Sequence, residues 1–157
     1  MPRITPFLWY HERAEEAAAF YVSLFPNSRI LHTVHATEPI PGAHPGSVLT
    51  VEFELNGQRI VAMNGGPTFT LDEAFSLSVE VDTQEEVDRL WEALIADGGT
   101  PSQCGWLRDR WGLSWQITPA ILNQLMADPE RAARAAASMM TMGKIDIATL
   151  IAAVDGG

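Results

Sequence analysis

The sequence predicts an α+β protein: two tandem βαβββ modules whose curved sheets surround a cavity, followed by C-terminal helices. Three observations predict it. Short segments alternate apolar and polar residues, as half-buried strands do. A helix-spaced segment follows the first strand of each half. The two halves also match one another at a fixed offset in the chain. Residues 1–67 read as the first module, 68–119 as the second and 120–157 as a helical extension, all within one compact domain.

The first module opens on residues 4–10, Ile-Thr-Pro-Phe-Leu-Trp-Tyr, an aromatic-rich strand. Residues 13–25 then take helical spacing, with Ala17, Phe20, Tyr21 and Leu24 on one face. Pro26-Asn27-Ser28 ends that helix. Strands are predicted at 29–36, 48–55 and 59–63. In the second of these Val51, Phe53 and Leu55 alternate with Thr50, Glu52 and Glu54. Asn56-Gly57 is the two-residue hairpin signal that joins it to the third. Residues 37–47, with three prolines and two glycines, read as a mobile loop.

In the second module Phe75, Leu77, Val79 and Val81 alternate with Ser76, Ser78, Glu80 and Asp82. Thr83-Gln84-Glu85-Glu86 is a capping box. Val87, Leu90, Trp91, Leu94 and Ile95 form the apolar stripe of the helix it starts, and Gly98-Gly99 stops that helix. Strands follow near 102–108 and 113–118. A shift of 70 places Phe7 on Leu77, Trp9 on Val79 and Tyr21 on Trp91. The closing strands align at a shift of 52, with Asn64 on Gln116 and Pro67 on Pro119. Beyond Pro119, Leu122, Leu125 and Met126 form a short apolar helix face. Asp128 and Pro129 start a second helix, and Ile145, Ile147, Leu150 and Ile151 mark a third. Methionines 139, 140 and 142 read as core or interface filler.

Composition narrows the function classes. Twenty acidic residues against ten basic ones give a formal charge of −10, which repels phosphate backbones and anionic lipids. No nucleic-acid partner is therefore expected. No apolar run is long enough to span a bilayer, so no membrane partner is expected either. The N-terminus lacks a signal-peptide pattern, and Cys104 is the single cysteine; both fit a reducing, cytoplasmic setting.

Several motifs resemble one family. They are Trp9-Tyr10, Arg13-Ala14-Glu15-Glu16-Ala17, Phe20-Tyr21, Leu24-Phe25-Pro26-Asn27-Ser28 and Asn64-Gly65-Gly66-Pro67. Gln84-Glu85-Glu86-Val87-Asp88, Gln103-Cys104-Gly105-Trp106-Leu107 and Gly112-Leu113-Ser114-Trp115-Gln116-Ile117 continue the series. Together they resemble the PhnB-like branch of the vicinal-oxygen-chelate (glyoxalase/bleomycin-resistance) superfamily, often labelled demethylubiquinone methyltransferase. The resemblance implies paired βαβββ modules around a cavity, and a homodimer. It places the metal ligands of metal-dependent members near Pro6, Asn64, Ser76 and Gln116, none of which carries a carboxylate or an imidazole. No metal and no other cofactor is expected on this reading. His32 and His35 are three apart on a strand and so point to opposite faces.

The expected partner is a small organic ligand. Asn64 and Gln116 can offer amides to a pocket, Ser76 and Ser78 lie on the polar face of their strand, and Trp9 can line a wall. The bland alternative has Asn64 beginning a turn and Gln116 satisfying a backbone partner. Cys104 reads first as a structural thiol, and it completes the candidate ligand-binding set. Asp72-Glu73 is an acidic pair with no general acid opposite it, and Asp109 reads as a surface turn with ion pairing. Trp106, Trp111 and Trp115 read as core or dimer-interface aromatics before ligand-stacking ones. The sequence thus suggests a binding protein without a metal. An enzyme of the same superfamily is the alternative, with the methyltransferase of the label behind both. Gly65-Gly66 and Gly98-Gly99 read as turns rather than as an adenosyl-cofactor loop.

Overall fold

The computed structural model describes residues 1–156. The chain divides into two compact units, one spanning Met1–Leu71 and one beginning at Asp72. The first contains β1 (Phe7–Tyr10), α1 (Ala14–Leu24), β2 (Arg29–His35), β3 (Val48–Leu55) and β4 (Gln58–Asn64). Its sheet has the order β1-β4-β3-β2, with β1 and β4 parallel and the other pairs antiparallel. The first strand starts later than expected, because residues 4–6 precede the paired segment that begins at Phe7.

Strand alternation gives this sheet two unlike faces. Leu8, Tyr10, Val51, Phe53, Ile60 and Ala62 are buried on the face covered by α1. From α1, Ala14, Ala17, Ala18 and Tyr21 are buried against it. Phe20 and Leu24, expected on this face, are half-buried, and alanines take their place. Small side chains let the helix lie close to the sheet, and Tyr21 then reaches Tyr10, hydroxyl to hydroxyl at 3.0 Å. Asn56 and Gly57 adopt φ 45° and 91°, the left-handed pair that a two-residue hairpin requires.

The second unit repeats the pattern. β5 (Ser76–Val81), α2 (Gln84–Ile95), β6 (Thr100–Pro101), β7 (Trp106–Arg108) and β8 (Ser114–Pro119) form a sheet of order β5-β8-β7-β6. The strand expected over 102–108 is broken. Ser102–Gly105 form a turn in which Trp106 N–H donates to the Gln103 carbonyl at 3.0 Å, and the two-residue β6 lies ahead of it. α2 buries Val87, Leu90, Trp91 and Leu94, as its stripe predicts, and the Thr83 hydroxyl caps it through Glu86 N–H.

The repeat is real, but its strand register differs from the sequence alignment. Tyr10 pairs with Asn64 and Val81 pairs with Pro119, so the first strands correspond at a shift of 71 and the last at 55. The same backbone bond recurs in each unit: Gly65 N–H to the Tyr10 carbonyl at 2.8 Å, and Ala120 N–H to the Val81 carbonyl at 2.7 Å. The connection from strand to helix is one residue shorter in the second unit, so the shift of 70 that fits the helices slips the strands by one. The first strands slip by one residue and the last strands by three, and either odd slip exchanges the faces. Asn64 therefore does not correspond to Gln116, nor Pro6 to Ser76.

Asp109, expected at the surface, is buried with 2% exposure. Its carboxylate accepts from Trp111 N–H at 2.9 Å, Leu113 N–H at 3.1 Å and Trp115 Nε1–H at 2.9 Å. The tight Asp109–Gly112 turn turns these donors inward, and the carboxylate satisfies them. The tryptophan cluster is also divided. Trp115 is a core residue, and Trp106 is half-buried on the opposite face of the sheet.

The extension forms α3 (Ile121–Leu125), α4 (Pro129–Met139) and α5 (Ile147–Asp155). Leu125, Ala135, Ile145, Leu150 and Val154 make their own core, joined by Met139 and Met142. Gln84 clamps this extension to α2, donating to the Ile145 carbonyl at 3.0 Å and accepting from Ile147 N–H at 2.8 Å. Lys144 Nζ lies 2.8 Å from Asp88 Oδ1. Bonding to Lys144, then to Gln84, holds the Asp88 carboxyl below its ordinary value, and the bond to Asp88 raises Lys144 above its own.

Two predictions follow from these contacts. Asp109→Ala orphans three N–H donors and is expected to destabilise the protein by about 3–5 kcal/mol in urea unfolding. Asp109→Asn keeps one acceptor oxygen and is expected to cost less; equal stability of wild type and both variants would refute the role. A lowered Asp88 stabilises the fold above its unfolded-state pKa, and this contribution is lost as pH falls through the lowered folded-state value. Lys144→Gln should therefore move the Asp88 titration, read by carboxyl-carbon NMR, back up toward its ordinary range.

Candidate functional site

α2 packs against β8 and β7, where Trp115, Ile117 and Leu107 are buried, so alternation puts Ser76, Ser78, Ser114 and Gln116 on the other face of the second sheet. Ser76 pairs with Ser114 and Ser78 with Gln116 across the parallel β5–β8 ladder. Gln116 Nε2 donates to Ser76 Oγ at 3.0 Å, leaving the amide oxygen available. From β7, Trp106 lies opposite Gln116 and Arg108 opposite Ser114. The chain has thus gathered three of its candidate residues, Ser76, Ser78 and Gln116, on one surface.

Beside them is a cleft of about 100 Å³ lined by Glu73, Thr100, Pro101, Ser102, Trp106, Leu107, Arg108 and Ser114. Arg108 Nη2 lies 2.7 Å from Glu73 Oε1 in an exposed ion pair. Ser114 is completely buried, and its hydroxyl has no hydrogen-bond partner among the described residues. Burying a hydroxyl without a partner is costly, so such a group needs an explanation. Sequence reasoning passed over Ser114, Arg108, Glu73 and Trp106 as site residues. Ser114 carried a signal, since it alternates with the core residues Leu113 and Trp115; the neighbourhood of Glu73 and Arg108 exists only once β5, β8 and β7 pair in one sheet.

Of the other candidates, Trp9 and Asn64 belong to the first unit and Cys104 to the second. Trp9 is on the open face of the first sheet, where its indole N–H donates to the Gly66 carbonyl at 2.9 Å and its ring meets Phe69 edge-on at 5.0 Å. A Cβ on Gly65 would stand 2.4 Å from that ring, which explains the glycine. Asn64 is on the opposite face, under α1, and 5% exposed. Its oxygen accepts from Ala14 N–H at 2.8 Å, and its nitrogen donates to Glu15 at 2.8 Å and the Val48 carbonyl at 2.9 Å. Arg13, in the N-cap position, makes no side-chain cap bond, so Asn64 caps α1 from a distant strand. It also lines a second cleft, of about 500 Å³, with Glu12, Glu15, Ile40 and His44. Cys104, at φ 58°, sits in the β6–β7 turn. Its N–H donates to the Met142 carbonyl at 2.8 Å and its thiol to the Met139 carbonyl at 3.4 Å, which ties it to the C-terminal extension.

Two sheets of order 1-4-3-2, each with a helix on one face, define a protein of the vicinal-oxygen-chelate fold. The chain belongs to the family described as 3-demethylubiquinone-9 3-methyltransferase, whose model matches residues 2–118. A Bacillus cereus PhnB protein carrying that methyltransferase label is 36% identical, with 76% of this chain and all of that one covered, at a TM-score of 0.68. A Pseudomonas aeruginosa protein at 19% identity covers 76% of this chain and 98% of its own, at a TM-score of 0.63. The fosfomycin resistance protein FosX of Listeria monocytogenes shares the fold at 15% identity, with coverage of 81% and 98% and a TM-score of 0.58. No curated protein matches the sequence.

One FosX structure is a complex with Mn(II); the residues of this chain do not suit such an ion. At matching register on β1, β4, β5 and β8, the faces turned away from the helices carry Phe7 beside Val61 and Ser78 beside Gln116. A ring, an aliphatic chain, a hydroxyl and a neutral amide do not fit a divalent transition metal. Among the described residues, no group of three or more His, Cys, Asp or Glu is placed to hold one. The glycine pairs do not fit an adenosyl cofactor either. Gly65-Gly66 lead from β4 into the loop before β5, and Gly98-Gly99 lie between α2 and β6, so neither links a strand to a helix N-terminus. Among the described residues, no helix is long and apolar enough to cross a membrane.

Asn64→Ala is expected to cost about 1–2 kcal/mol through loss of the α1 cap. Asn64→Asp keeps the acceptor for Ala14 but sets a second carboxylate against Glu15, so its penalty at pH 7 should shrink as pH is lowered toward 4, the range where carboxylates protonate. Chemical denaturation at both pH values checks this; unchanged stability in both variants would show that Asn64 does not hold the helix.

Proposed function

We propose that this chain is a small-molecule binding protein of the glyoxalase/bleomycin-resistance type, and that binding proceeds without a catalytic metal. The observation that supports it most is the grouping of Ser76, Ser78, Gln116 and the buried Ser114 on one open sheet face next to a cleft. A strand face exposed to solvent and serving no ligand has no need of a buried hydroxyl without a partner. Ligand sites combine a shaped wall with a few placed polar groups, and Trp106 supplies the wall here. The Ser76–Gln116 bond fixes the amide orientation and leaves its oxygen as an acceptor. Rigid strands hold these groups more accurately than loops would. The homodimer implied by the family resemblance belongs to the same reading, and light scattering tests it.

Differential scanning fluorimetry against small polar and aromatic metabolites tests the binding. At least one compound is expected to raise the melting temperature of the wild-type protein. Gln116→Leu should weaken that compound at least about tenfold, roughly 1.4 kcal/mol. A panel without any stabilising compound, or one whose effects ignore Gln116→Leu, would refute the proposal.

A further inference from the structure

We propose that the cleft beside Ser114 seats the head group of a small zwitterion, with an ammonium and a carboxylate on the same or adjacent carbons. This rests on the small-molecule reading above and names its chemical class. At about 100 Å³ the cleft is smaller than sites for drug-sized molecules, so it takes a head group of a few heavy atoms. Its lining brings both signs of charge together: the Arg108 guanidinium and the Glu73 carboxylate, 2.7 Å apart. That ion pair is exposed on both sides, and exposed pairs contribute little to stability. The pair does not exhaust either partner. Arg108 uses one N–H on Glu73, and a guanidinium carries five donors in a planar fork.

The charges decide between ligand classes. A bare anion that reaches Arg108 meets Glu73 beside it, and the net charge of −10 opposes its approach. A bare cation that reaches Glu73 meets Arg108. A zwitterion sets its carboxylate on the guanidinium fork and its ammonium on the Glu73 oxygen that faces away from Arg108. Ser114 is the independent observation. Its hydroxyl is completely buried, has no partner among the described residues, and belongs to the residue that lies opposite Arg108 in the β7–β8 ladder and lines the same cleft. A carboxylate held by Arg108 has lone pairs to spare for that hydroxyl. The Trp106 ring covers the carbon skeleton from the side.

The test is a ¹⁵N NMR titration of the full chain, reading the Trp106 indole N–H and the Ser114 amide. The probes are alanine, alaninamide as the cation alone and propionate as the anion alone, at matched ionic strength. Alanine is expected to shift both signals at concentrations at least tenfold below those needed for either singly charged probe. Arg108→Gln and Glu73→Gln should each raise the alanine concentration needed at least tenfold. Ser114→Ala should weaken alanine as well while melting at or above the wild-type temperature, since it removes an unsatisfied hydroxyl; a merely structural serine would leave the titration unmoved. Equal responses to the three probes, no response to any, or titrations indifferent to Arg108→Gln and Glu73→Gln overturn the assignment. If metabolite binding that depends on Gln116 survives in that case, the head-group inference alone fails; if it is absent too, both readings fail.

Discussion

Parallel pairing between the first and last strand of each unit is the constraint from which the rest follows. Tyr10 lies opposite Asn64 and Val81 opposite Pro119, and each pairing ends in the same backbone hydrogen bond to the residue beyond. Because strand side chains alternate, this register decides every side chain's face at once. One face of each sheet is committed to its helix, and it carries the large apolar residues: Phe53 and Ile60 in the first unit, Trp115 and Ile117 in the second. The other face is relieved of core packing and can take residues for other purposes.

The two units use that freedom differently. On the first sheet, Phe7, Trp9, Val61 and Met63 alternate with buried positions, and the Trp9 indole is braced by Gly66 and Phe69. On the second, Ser76, Ser78 and Gln116 lie on that face together with Ser114, which is buried there. Helix placement differs as well. α2 is started by its own Thr83, four residues from its first buried side chain, whereas α1 depends on Asn64 from the end of β4. The amide that resembles a ligand group by its place in the family motif is, in this chain, the device that fastens a helix to its sheet.

Stability and the candidate site meet at the β7–β8 turn. The Asp109 carboxylate gathers donors from Trp111, Leu113 and Trp115, which fixes the hairpin and seats the largest core side chain of the second unit. The same hairpin sets Arg108 opposite Ser114 and Trp106 opposite Gln116. Rigidity bought by a buried carboxylate in the turn is therefore passed directly to the polar face. The extension adds a further anchor through Cys104 and Gly105, whose N–H groups donate to the Met142 and Gly143 carbonyls. A Cβ on Gly105 would come within 2.8 Å of the Ile117 carbonyl, so the turn that makes this contact admits only glycine there.

The sequence by itself determined the α+β class, the tandem modules, the Asn56-Gly57 hairpin, the apolar stripe of α2 and the family. Each is written in local periodicity, turn chemistry or contiguous motifs, so neighbouring residues suffice to read it. Tertiary structure alone decided the strand register between the halves, because helices and strands are offset by different amounts and a single residue reverses the face. It also decided the burial of Asp109, the distant cap that Asn64 provides and the meeting of Glu73, Arg108 and Ser114. The Asn64 cap and the approach of Glu73 to Arg108 depend on strand pairing across tens of residues, whereas the Asp109 donors lie only two to six residues on and face inward once the β7–β8 hairpin closes.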